Sequence, residues 1–154
     1  MNNNELLRLL RKLLTANETA MAEVFALGEA AVEPDTARAL LKHENEPGFA
    51  PCNDEMLARF MEGLVIRQRG RKDPATPLAV EWPLDNNRLL KKLRVAYELQ
   101  DEAMHAILAE SGQELSKQEL NALFRSPGHK NFQPCSDQVL RAFIKGLTQR
   151  VRDH

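Results

Sequence analysis

The sequence predicts an all-α protein, a tandem duplication of one four-helix module whose two copies pack with pseudo-two-fold symmetry. Three observations carry this reading. Leucine and alanine dominate a chain that is 43% apolar, 28% charged and only 5% aromatic, the profile of a helical protein rather than a β or disordered one. Apolar residues recur at the helical spacing i, i+3, i+4. The second half also repeats the first at a fixed offset of 83 residues, with 21 of the 69 positions from 3 to 71 identical and no gap. Chance alignment of helical segments needs gaps and gives far fewer identities, so duplication is the reading.

The organisation that follows is repeat 1 over 1–71, a proline-rich linker over 72–83 and repeat 2 over 84–154. Helix 1 is predicted over 4–15 and 87–98, with Leu6, Leu7, Leu10 and Leu14 on one side of the first copy. Helix 2 covers 18–28 and 101–111, where Met21, Val24 and Phe25 match Met104, Ile107 and Leu108. Helix 3 covers 34–43 and 117–125. Helix 4 covers 54–69 and 137–151, matching Leu57, Phe60, Met61 and Leu64 to Leu140, Phe143, Ile144 and Leu147.

Start signals agree between the copies. Ser116 and Glu119 form a capping box, and Leu120 is placed to pack back on Leu115 as a staple. Pro34 occupies a first helical position, where its missing N–H is harmless. Asn53 and Ser136 are helix 4 caps, followed by Asp54 and Asp137 at the positive end of the helix dipole. Gly63 and Gly146 interrupt helix 4, where glycine costs roughly 1 kcal/mol against alanine. Close approach of another helix, such as one from the other repeat, would offset that. In the linker, Leu78, Val80 and Trp82 sit two apart and would share one side of an extended chain held so by Pro74, Pro77 and Pro83. They are expected to latch along a core shared by the repeats, or else to present Trp82 to a partner.

The chain resembles the YehS-like family of bacterial proteins of unknown function. The shared elements are Leu93-Arg94, Asp101 and Phe143-Ile144-Lys145-Gly146-Leu147, with Leu10-Arg11 and Phe60-Met61-Glu62-Gly63-Leu64 in the first copy. The Ser-Pro-Gly-His-Lys loop at 126–130 and Cys135-Ser136-Asp137 belong to the same pattern. The resemblance implies the doubled helical fold and a bacterial cytosolic protein, and it implies no chemistry.

Function classes narrow by composition. A net charge of −1 gives no global field for nucleic acid or membrane. No apolar run approaches the roughly 20 residues of a membrane span. The polar start from Met1 to Glu5 predicts no secretion signal, hence a cytoplasmic location. Cys52 and Cys135 occupy one repeat position and are expected as buried, reduced, unligated small hydrophobes rather than a redox or metal pair. Neither a cofactor nor catalysis is expected: there is no phosphate loop, no ligand spacing and no nucleophile beside a base.

What remains is polar. Arg11, Arg94, Arg67 and Arg150 recur in both copies and either bind an acidic partner or bridge to Asp54 and Asp137 at helix ends. The short helices with a capped helix 3 also look like λ-repressor-type helix-turn-helix modules. In that case Lys117, Gln118, Asn121 and Arg125, with Arg38 and Lys42 in the first copy, would face a nucleic acid or another partner. His129 and Lys130 extend that face. Two features weigh against DNA: about five residues separate helices 2 and 3, more than the motif's tight turn, and no strong basic face is evident. Repeat 1 carries net −2 (9 basic, 11 acidic over 1–71) and repeat 2 net +2 (11 basic, 9 acidic over 84–154). The expectation is therefore a non-enzymatic protein-interaction or regulatory module, self-association included, with nucleic-acid binding as the alternative.

Overall fold

A computed structural model describes residues 1–153. Repeat 1 forms α1 (Asn3–Leu14), α2 (Glu18–Leu27), α3 (Pro34–Leu41) and α4 (Asp54–Arg69). Repeat 2 forms α5 (Asn86–Ala96), α6 (Asp101–Glu110), α7 (Lys117–Leu123) and α8 (Asp137–Arg152). Every helix of the second set begins 83 residues after its counterpart, since Asn3, Glu18, Pro34 and Asp54 precede Asn86, Asp101, Lys117 and Asp137 by that interval. The chain divides into two compact units, Met1–Leu84 and the residues from Asp85 onward.

The starts follow the capping chemistry. Asn53 and Ser136 side chains accept from Met56 N and Val139 N. Ser116 and Glu119 close a full capping box, and Pro34 opens α3 without a side-chain cap. The ends of the first three helices of each repeat are earlier than periodicity predicts, whereas α4 ends at Arg69 as expected and α8 one residue later, at Arg152. α1 stops at Leu14 because Thr15 turns left-handed at φ 50°. α3 and α7 stop at Leu41 and Leu123, two residues short of the expected 43 and 125, because the carbonyls needed to extend them are captured. Ala39 O accepts from Ala50 N, and Ala122 O from Gln133 N. Leu40 O and Leu123 O accept from the side chains of Asn4 and Asn87.

Each unit has its own core. In the first, Leu7, Leu10, Val24, Phe25, Phe60 and Met61 are inaccessible, and the Phe25 and Phe60 rings meet edge to face at 4.9 Å. Leu90, Leu93, Ile107, Leu108, Phe143 and Ile144 fill the same positions in the second. Full burial stabilises by roughly 1.5–3 kcal/mol per such side chain. α2 packs on α4 and α3, and α1 on α3 and α4; in the second unit α8 receives α6 and α5. The α7 backbone, by contrast, approaches α5 and α6 less extensively than α3 approaches α1 and α2.

Two expectations need correction. The glycines of helix 4 do mark the close approach of another helix, as expected, but that helix belongs to their own repeat rather than to the other one. A Cβ on Gly63 would lie 1.9 Å from Val24 O of α2, and one on Gly146 would lie 2.2 Å from Ser111 Oγ and 2.9 Å from Ile107 O. The linker is not a buried latch either: Trp82 is 46% exposed, and Leu78 and Val80 are only half-buried. Nor is it extended throughout. Asp73 and Pro74 open a turn in which Thr76 N bonds to Asp73 O. The Asp73 carboxylate accepts from Thr76 Oγ1 and Ala75 N, and these bonds hold its pKa below the usual carboxylate value. Aspartate followed by proline is turn chemistry, and it overrides the apolar alternation that follows.

Candidate functional site

The site that gathers most of the singled-out polar residues lies in the second repeat. Ser116 and Glu119 fix the start of α7, with Ser116 N bonded to Glu119 Oε1 at 3.0 Å and Glu119 N to Ser116 Oγ at 3.0 Å. The Ser116 backbone N–H, and after it the Ser116 hydroxyl, stabilise the ionised Glu119 carboxylate and so lower its pKa. Leu120 and Leu123 then point into the core, so the helical period turns Lys117, Gln118 and Asn121 to solvent.

Past α7 the chain makes two turns, His129 N to Ser126 O and Phe132 N to His129 O. It then returns along α7 to the cap of α8. Asn87 fastens this return: its Nδ2 donates to Leu123 O and Gln133 O, both at 2.9 Å, and its Oδ1 accepts from Cys135 N at 2.9 Å. Between α7, the returning loop and the first turn of α8 lies a groove of about 550 Å³. Its apolar part includes Leu115, Ala122, Pro134 and Val139. Gln118, Asn121, Arg125 and Lys130 supply polar groups, joined by Asn131 and Gln133.

Of the proposed contact residues, the groove thus brings together Gln118, Asn121, Arg125 and Lys130. Lys117 and His129 are exposed but do not line it; His129 Nδ1 accepts from Asn131 N and shapes the loop. The first repeat does not reproduce these free groups. Arg38 pairs with Asp35 at 3.3 Å and with Glu18 at 3.7 Å. Lys42 Nζ donates to Pro47 O at 2.6 Å.

Two of the four repeated arginines, Arg11 and Arg94, make structural bonds, although not to the partners first expected. Arg11 Nε donates to Ala16 O and Arg94 Nε to Leu99 O, closing the same helix-to-helix turn in both copies. Arg94 also pairs with Asp101 at 2.6 Å and lies 4.8 Å from the Phe124 ring centroid. Asp54 and Asp137 instead accept from Asn3 and Asn86 Nδ2. Arg67 is exposed and Arg150 half-buried in the last turns of α4 and α8.

The residues that sequence reasoning missed are the paired asparagines. Asn4 is buried and donates to Leu40 O and Ala50 O while accepting from Cys52 N, the arrangement Asn87 repeats. The signal was present as two adjacent carboxamides, at 3–4 and 86–87, in the first turn of a leucine-rich helix.

Both cysteines are buried, as expected, and form no disulfide. Burial first, then the charge of Asp54, pushes the Cys52 thiol up to about 12. Burial, then Asp137 and Asp85, pushes Cys135 up to about 11. Such thiols are poor nucleophiles. Native protein at pH 8 is therefore expected to react with a thiol reagent only on the unfolding timescale, whereas denatured protein reacts at once; prompt labelling of either cysteine in the native state contradicts this. The sign for stability follows. The unfolded thiols ionise near 9.0 and the folded ones higher, so their contribution is full below about pH 9 and is lost as pH rises toward 11 and 12.

Among the described residues no group of three or more His, Cys, Asp or Glu side chains could hold a metal ion, and no helix is long and apolar enough to cross a membrane. No solved structure matches the chain. One relative, named "Uncharacterized protein YehS", from Escherichia coli (strain K12), is 39% identical over 150 residues, covering 97% of this chain and 96% of its own. The family model described as "Protein of unknown function (DUF1456)" matches residues 3–70 and again 86–153, the same two segments that fold as repeats. With both copies matched and the relative aligned nearly end to end, the chain belongs to this family of doubled helical proteins.

Proposed function

We propose that the protein is a non-catalytic, cytosolic interaction module that engages a protein partner through the groove on its second repeat. The observation that carries this is an asymmetry between the duplicated copies. The side chains of Gln118, Asn121, Arg125 and Lys130 make no hydrogen bond or ion pair with any described residue, whereas Arg38 and Lys42 in the first copy are committed to local partners. Free polar groups beside an apolar floor are what a binding cleft offers. The protonated, buried thiols support the non-catalytic part of the reading.

The test is a photo-crosslinking amino acid placed at Asn121 and, as control, at Arg38, with irradiation in intact cells. Protein adducts are expected at position 121, absent at 38, and lost when Arg125→Glu and Lys130→Glu are combined. Equal yields at both positions, or no adducts at 121, would overturn the reading. Nuclease-sensitive adducts would replace it with nucleic-acid binding, for which Lys117→Ala with Arg125→Ala should then weaken duplex binding and flatten its salt dependence.

A further inference from the structure

Resting on the groove reading, we infer that the groove selects a short acidic peptide segment carrying an apolar anchor. The charge arrangement decides the sign. Two cations, Arg125 and Lys130, line the groove against one carboxylate, Glu119. That carboxylate already accepts from Ser116 N, and its pKa is lowered by those bonds to the cap, so it is turned to its own helix start. Asp137, at the adjoining start of α8, accepts from Asn86 Nδ2. Neither Arg125 nor Lys130 makes an ion pair with a described residue, and with two cations against one carboxylate the lining stays net positive. A guanidinium binds a carboxylate bidentately, and such charge-assisted bonds are roughly twice as strong as neutral ones.

The rest of the lining favours a peptide over other anions. The carboxamides of Gln118, Asn121 and Asn131 each donate and accept, as a peptide backbone requires. Leu115 and Val139 offer half-buried apolar surface to an aliphatic side chain, for which a phosphodiester backbone has no use. No aromatic side chain lines the groove, so it lacks the stacking platform typical of single-strand binders. The volume of about 550 Å³ is that of a cleft for a few residues. The first repeat is excluded as a second such site: Asp35 stands where Gln118 stands and Pro47 where Lys130 stands, and the Arg38 that stands where Asn121 stands is already paired with the Asp35 carboxylate.

The experiment titrates the ¹⁵N-labelled full chain with three probes: a hexapeptide alternating Asp or Glu with Leu, the same peptide with Lys for each acid, and a twelve-base-pair DNA duplex. The acidic peptide is expected to move amide resonances of residues 115–139 and to leave their repeat 1 counterparts unmoved. Its affinity should fall with added salt. It should also fall at least about tenfold in the Arg125→Glu, Lys130→Glu double variant, whose unchanged spectrum outside the groove reports an intact fold. Selection of acid is overturned if the acidic peptide leaves those resonances still, or if the basic peptide binds as well. In the latter case the groove remains a protein-binding site and only the charge preference falls. If the duplex alone moves the groove residues, the protein-interaction reading falls too.

Discussion

Gly63→Ala is expected to cost about 3 kcal/mol of folding stability, although alanine is the better helix former by roughly 1 kcal/mol. The added methyl would sit 1.9 Å from Val24 O and 3.1 Å from Gly28 N. Both are backbone atoms, so no side-chain rotation relieves the clash. The reciprocal position is equally tight, since a Cβ on Gly28 would lie 1.8 Å from Arg59 O. α2 and α4 therefore meet backbone to backbone, and alanine at either site must push the helices apart across the core that Phe25 and Phe60 fill. Gly146→Ala should cost less, about 2 kcal/mol, because its nearest obstacle is the Ser111 hydroxyl, which can turn away at the loss of its bond to Ile107 O, and the backbone obstacle, Ile107 O, lies at 2.9 Å rather than 1.9 Å. Urea unfolding of the two variants measures the ranking; a Gly146→Ala loss equal to or above that of Gly63→Ala would refute the account.

Asn4→Ala is expected to be at least as damaging, at about 4 kcal/mol, since each buried group left without a partner costs about 1–3 kcal/mol. Three groups lose theirs: Leu40 O and Ala50 O, each at 2.9 Å from Asn4 Nδ2, and Cys52 N, at 3.1 Å from its Oδ1. Asn4→Asp discriminates this from a packing effect. It preserves shape and the acceptor for Cys52 N, yet faces two carbonyls with a carboxylate, and at neutral pH it should destabilise comparably to alanine. Asn87→Ala should cost less, because Asn87 is only half-buried and its bond to Gln133 O lies in solvent. Thermal unfolding followed by circular dichroism measures each; an Asn4→Asp variant as stable as the original would refute the hydrogen-bond account.

Much of the fold was legible because the information is local or periodic. The offset of 83 residues is visible to inspection, and all four helix starts of each repeat follow from caps, proline and apolar spacing. Helix 3 ended early in both copies for a reason no periodicity contains: its last carbonyls bond to a side chain about 36 residues away in sequence. The site was half legible. Exposure of Gln118 and Asn121 follows from helical phase, yet their joining with Arg125, past the end of α7, and with Lys130 across a groove depends on a returning loop that Asn87 holds. Trp82 misled because alternation of apolar residues indicates a face only when a partner surface exists to receive it.

By itself, the sequence determined that this is a doubled helical chain, where each helix begins, and that its two thiols are core residues, since capping, amphipathic phase and repetition act within a few residues. Only the tertiary structure decided which backbones touch at Gly28 and Gly63, which carbonyls Asn4 and Asn87 satisfy, and which copy keeps its polar groups free. Those outcomes rest on contacts between residues far apart in the chain. Their energies depend on geometry at a few tenths of an ångström, and residue identity alone does not specify that geometry.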